Sequence, residues 1–77
     1  MTDDDVLARI TALVEEERSL AGDGESAEER HARRGRIEEQ LDQCWDLLRQ
    51  RQARREAGAD PEQAQPRRIA EVESYLQ

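Results

Sequence analysis

Apolar residues recur at three- and four-residue spacing over the first third of the chain: Val6, Leu7, Ile10, Leu13, Val14, Leu20 and Ala21. That period marks a helix with one buried stripe, and it predicts a first helix over residues 3–21. Thr2 is a natural N-cap with Asp5 three residues on, and Met1 can staple onto Val6. Asp3, Asp4 and Asp5 face the positive end of the helix dipole. Gly22-Asp23-Gly24 predicts a turn over 22–25, with Gly22 as a left-handed cap.

The pattern restarts at Ser26-Ala27-Glu28-Glu29, which has the form of a capping box. No proline follows until Pro61, so a second helix is expected over 27–57, stopped by Gly58. Its stripe is Ile37, Leu41, Cys44, Trp45 and Leu48, widened to one side by Leu47. Gly35 interrupts it at a cost of about 1 kcal/mol relative to Ala. Residues 58–66 read as a connector, with Asp60 capping a single turn at Pro61 and Pro66 breaking it. Ile69, Val72 and Leu76, with Tyr75 alongside, predict a C-terminal helix over 67–76. The expected fold is all-α: one helical domain over 1–77, an antiparallel hairpin plus a short third helix, with no internal repeat.

Charge supports the hairpin. Residues 1–29 carry ten acidic groups and two Arg, whereas residues 30–57 carry eight Arg and five acidic groups. An acidic helix joined to a basic one by a tight turn pairs with itself. With the turn at 22–25, residue i faces residue 47 − i. Ile10 then meets Ile37, Val6 meets Leu41, and Glu17 meets Arg30 with Arg34 one turn on. Glu17, Arg30 and Arg34 are therefore expected to form a partly buried ion pair, a feature that enforces register more than it adds stability.

In that register the first helix runs out near residues 41–45. The apolar patch of Leu41, Cys44, Trp45, Leu47 and Leu48 then needs a cover. Ile69, Val72 and Leu76 of the C-terminal helix can supply it, and so can a second chain. Only seventeen Met, Val, Ile, Leu, Cys, Trp and Tyr side chains are available for burial in 77 residues. A core so small invites a partner. The expected assembly is a homodimer, two hairpins forming a four-helix bundle with the C-terminal helices closing its ends.

Candidate chemistry is sparse. Glu28 and His31 form the Glu-x-x-His pattern of metal-binding bundles, but capping explains Glu28 at a helix start. Cys44 and His31 stand thirteen residues apart on one helix, about 20 Å by helical rise, too far for a nucleophile–base pair. No cofactor motif is present, and an enzyme is not expected. Arg49, Arg51, Arg54 and Arg55, with Arg67 and Arg68 later, are the one nucleic-acid-like feature. A net charge of −7 and two aromatic residues stand against it. The single Cys excludes an internal disulfide and suggests the cytoplasm. No apolar run has the length of a membrane span, and the acidic N-terminus is the reverse of a signal peptide.

The segment Leu41-Asp42-Gln43-Cys44-Trp45-Asp46-Leu47-Leu48-Arg49-Gln50-Arg51 is distinctive. So is the ending Val72-Glu73-Ser74-Tyr75-Leu76-Gln77. With Asp60-Pro61 and Leu13-Val14-Glu15-Glu16-Glu17, they resemble the "domain of unknown function 2630" family of short actinobacterial proteins over nearly the whole chain. Members of that family often carry His after the Glu run of the first helix, where this chain has Arg18. The resemblance implies a cytoplasmic protein and brings no activity, cofactor or catalytic residue. The expected function is a non-enzymatic helical interaction or assembly module with a protein partner. The alternatives are a nucleic-acid accessory protein acting through the Arg-rich end of helix 2 and a metal-binding bundle using Glu28 and His31.

Overall fold

The computed structural model describes residues 1–20, 24 and 26–76. Three helices follow in order: α1 (Asp3–Ser19), α2 (Ala27–Glu56) and α3 (Ile69–Leu76), with a 3₁₀ turn (Pro61–Gln63) between the last two. Among the described residues there is no strand.

The helix ends follow the local chemistry. Thr2 Oγ1 accepts from the Asp5 amide while Asp5 Oδ2 accepts from the Thr2 amide, a complete capping box. Ser26 Oγ accepts from the Glu29 amide at the start of α2. At its end the Ala59 amide reaches back to the Arg54 carbonyl and the Gly58 amide to that of Arg55. Gly58 at φ +76° makes this closure possible, and the paired bonds are those of a Schellman cap. Asp60 caps the 3₁₀ turn through the Glu62 amide. The expected cap at Gly22 lies outside the described residues. The third helix starts at Ile69, two residues later than the spacing predicts, because the Arg68 carbonyl is the first to accept a helical bond.

α2 is the spine. α1 packs along one side of it and α3 on another, giving a body of 48 × 26 × 13 Å. The shortest dimension is about one helix diameter, so the three helices form a single layer. The core lies between α1 and α2 in two adjoining groups. Leu13, Leu20 and Ile37 fill one; Val6, Ile10, Leu47 and the connector's Ala64 fill the other, and half-buried Leu41 and Cys44 pack against both.

That packing corrects the register. Under 47 − i, Asp3 would face residue 44; instead it meets Arg51 and Arg55. The first of these lies seven residues, about 10 Å of helical rise, further along. Leu13 and Leu20 cluster with Ile37, and Val6 and Ile10 with Leu47. The expected ion pair falls with the register. Glu17 is half-buried and Arg34 exposed, and among the described residues Glu17 makes no ion pair with Arg30 or Arg34. α1 therefore extends past residues 41–45 and, with Ala64, buries Leu47, while Trp45 stays exposed.

Candidate interaction surface

Leu47 is the clearest case of a surface residue turned inward. The expected cover is the C-terminal helix or a second chain; Leu47 is instead 4% exposed against Val6, Ile10 and Ala64. Val72, expected at the same interface, is fully buried within the chain. Leu41, Cys44, Leu48 and Ile69 are half-buried. Of the expected interface residues, only Trp45 and Leu76 remain exposed, by 46% and 51%.

α3 docks through the fully buried Val72 and through a set of polar contacts. Asp46 is 4% exposed although it carries charge. Its carboxylate accepts from the Tyr75 hydroxyl and from Gln50 Nε2, and Arg67 Nε approaches it at 3.5 Å. Gln50 Nε2 also donates to the Gln65 carbonyl and Gln43 Nε2 to that of Arg67, which ties down the connector. The Arg67 guanidinium lies 5.7 Å from the centre of the Tyr75 ring, a cation–π contact. The bond to Asp46 holds the Tyr75 hydroxyl above its usual range, with burial adding to the effect.

The opposite edge is fixed by charge. Arg51, 4% exposed, donates from Nε to Asp3 at 2.6 Å and from Nη1 to the Pro61 carbonyl at 3.1 Å. Arg55 grips the same carboxylate as a fork, at 3.1 and 2.8 Å. The Met1 amine pairs with Glu62 at 2.8 Å. Hydrogen bonds from Arg55 and then Arg51 hold Asp3 below the usual aspartate range, and the Met1 amine does the same for Glu62. Two of the four arginines expected to face nucleic acid are thus consumed inside the fold.

The two broad sides of the hairpin differ. Leu7, Val14 and Trp45 each follow a core-facing residue by one step: Val6, Leu13 and Cys44. One step turns a helix by about 100°. In an antiparallel pair that rotation carries both helices to the same side of their common plane, since reversing a helix reverses both its sense and its facing direction. Leu7, Val14 and Trp45 therefore share one side, and they are 43%, 38% and 46% exposed. Residues one step before the core, Asp5, Arg9, Gln43 and Leu47, lie on the other side. There Met1 and Pro66 join them around an apolar cleft of about 380 Å³ that also reaches Cys44. Burial pushes the Cys44 thiol above its ordinary range, with Arg9 opposing.

Over this whole arrangement, residues 2–77, the chain matches the family model described as Protein of unknown function (DUF2630). The chain belongs to that family. Uncharacterized proteins of Mycobacterium tuberculosis (Rv0898c) and Mycobacterium bovis (Mb0922c) are each 49% identical to it over 80 residues, spanning 96% of this chain and 90% of the relative. No solved structure matches it.

In this DUF2630 chain Glu28 and His31 are both exposed at the start of α2, and among the described residues no group of His, Cys, Asp and Glu is arranged to hold a metal ion. None of the described helices is long and apolar enough to cross a membrane. The exposed apolar side was half-legible: Val6-Leu7 and Leu13-Val14 are apolar doublets, one residue too wide for a single buried stripe. The burial of Asp46 had no such signal, because its partners come from the connector and α3.

Proposed function

We propose that this DUF2630 chain is a non-enzymatic assembly module. It pairs with a second copy through the side of the hairpin that carries Leu7, Val14 and Trp45. The observation that carries the reading is the exposure of these three large side chains on one side of a single-layer protein, with Trp45 at 46%. Tryptophan is enriched where protein surfaces are buried by partners.

Three features support a copy of the same chain as the partner. The broad side measures 48 × 26 Å, room enough for the roughly 800 Å² per partner that a stable interface needs. A two-fold axis parallel to the helices would lay the acidic α1 of one copy over α2 of the other, where the chain's arginines are concentrated, and so keep the two acidic helices apart. The result is a four-helix core of two stacked layers, with α3 at the outer edges and not closing the ends. The titratable groups that depart from ordinary behaviour are engaged in holding elements together, such as Asp3 to Arg51 and Tyr75 to Asp46. This favours a structural over a catalytic role. A single free cysteine fits the cytoplasm as the working compartment.

Sedimentation equilibrium tests the proposal. The wild type is expected to be a dimer at micromolar concentration, and Trp45→Glu a folded monomer with unchanged helical circular dichroism. A wild type that stays monomeric at several hundred micromolar overturns it.

A further inference from the structure

The arginines at the end of α2 part company. Arg51 and Arg55 turn toward α1 and close on Asp3. Arg49 and Arg54 flank, from either edge, the strip of α2 that bears Gln50 and Ala53, and the connector brings Arg67 against that strip. Two adjoining clefts run along this side, of about 340 and 300 Å³, and both are lined by Gln50, Ala53 and Arg67. Arg49 belongs to the first and Arg54 to the second. The shared lining makes them one groove, lined by Arg49, Arg54, Arg67 and alanines, with the buried Asp46 carboxylate at its Arg49 end already engaged by Arg67, Tyr75 and Gln50.

Among the described residues neither Arg49 nor Arg54 makes an ion pair or side-chain hydrogen bond. Arg67 is oriented by its Nε contact to Asp46 and by the Tyr75 ring beneath it. The helix dipole accounts for an arginine in the last turn, such as Arg54, but not for Arg49 two turns earlier or for Arg67 from another element. Three arginines gathered in one groove of a chain with net charge −7 mark a site for negative charge.

We propose that this groove docks a short acidic peptide segment, whose carboxylates take forked contacts from Arg49, Arg54 and Arg67. The forked guanidinium is matched to carboxylate geometry, and the alanines of the lining suit the side-chain stems of an extended strand of glutamates. The three cations are spread along two clefts, which favours several carboxylates in series over one compact anion. Nucleic acid fits less well. Tyr75, which lines the groove, already carries the Arg67 guanidinium on one face and is tied to Asp46 through its hydroxyl, a single engaged ring where single-stranded nucleic acid stacks on several. The overall negative charge repels a long polyanion more than a short one.

Fluorescence anisotropy with a labelled peptide of alternating Glu and Ala tests this. An alternating Gln and Ala peptide and an oligothymidine of matching length serve as comparisons. The Glu peptide is expected to bind, and the other two at least tenfold more weakly. Arg49→Gln/Arg54→Gln, which removes no ion pair or side-chain hydrogen bond within the fold, is expected to weaken binding about tenfold; adding Arg67→Gln should abolish it. Leu7→Glu, on α1 and away from the groove, should leave peptide affinity unchanged, which separates this site from self-association. Equal binding of the Gln peptide, tighter binding of the oligothymidine, or an unaffected double variant overturns the proposal.

Discussion

Asp3, at the start of α1, accepts a 2.6 Å hydrogen bond from the Nε of Arg51, 48 residues later. The bond joins the first turn of α1 to the last third of α2, and through Arg51 Nη1 to the Pro61 carbonyl it reaches the connector. Three elements meet at one guanidinium that is almost fully buried.

The first prediction follows from that junction. Asp3→Asn keeps the shape but removes the charge that Arg51 and Arg55 share, so thermal stability at neutral pH should fall by several degrees. The pH dependence has a definite sign. The folded pKa of Asp3 lies below its ordinary value, so its contribution is present above the ordinary aspartate range. It is lost as pH falls through the folded pKa. Melting curves over an acid series should show a shallower acid-side decline for Asp3→Asn than for the wild type. Parallel declines would count against the clamp.

Glu73 should behave in the opposite way. Its pKa is raised, first by a hydrogen bond with Asp42, then by burial and by the charges of Asp42 and Glu39. Its Oε2 is buried without a partner. The contribution is therefore complete below the ordinary glutamate range and is lost as pH rises through the folded pKa. Glu73→Gln removes a like-charge contact between α2 and α3, and should raise the melting temperature at neutral pH. It should also flatten the decline on the alkaline side of the ordinary glutamate range. A wild type and variant with the same slope there would refute the assignment.

Gly35 offers a stability gain with no loss of contact. It sits within α2, and a Cβ built on it meets nothing within 4 Å. Gly35→Ala should stabilise the protein by about 0.5–1 kcal/mol, read as a higher urea midpoint with an unchanged slope. A neutral result would mean that Gly35 is frayed from the helix in solution.

Much of the local structure could be read from the residues. Thr2 with Asp5, Ser26 with Glu29, Gly58 and Asp60 all punctuate the chain as their side chains dictate, since caps depend on neighbours within a few residues. What failed depends on distance along the chain. The 47 − i register was counted from the turn, but Leu13 and Leu20 cluster with Ile37. Leu47 was left open because its cover, Ala64, is one alanine in a Pro- and Gln-rich connector with no period to betray it. Asp46 lies on what spacing alone would make a solvated face; only Tyr75 and Arg67, more than twenty residues later, make it an interior residue. Trp45 was placed on a surface for a partner and is exposed, while Leu47 and Val72 beside it in the reading are not.

A body one helix thick has consequences for valency. No residue of such a layer is far from either side, so one broad side can be occupied while the Arg54 and Arg67 part of the groove stays open. Pairing two layers about a two-fold axis would then display two arginine grooves per particle. A ligand with two acidic stretches on one flexible chain would engage the second groove at millimolar effective concentration, and its avidity could exceed the single-site affinity by about 10²–10⁴. Strength of capture would then track the state of assembly, with weak hold by single chains and firm hold by pairs.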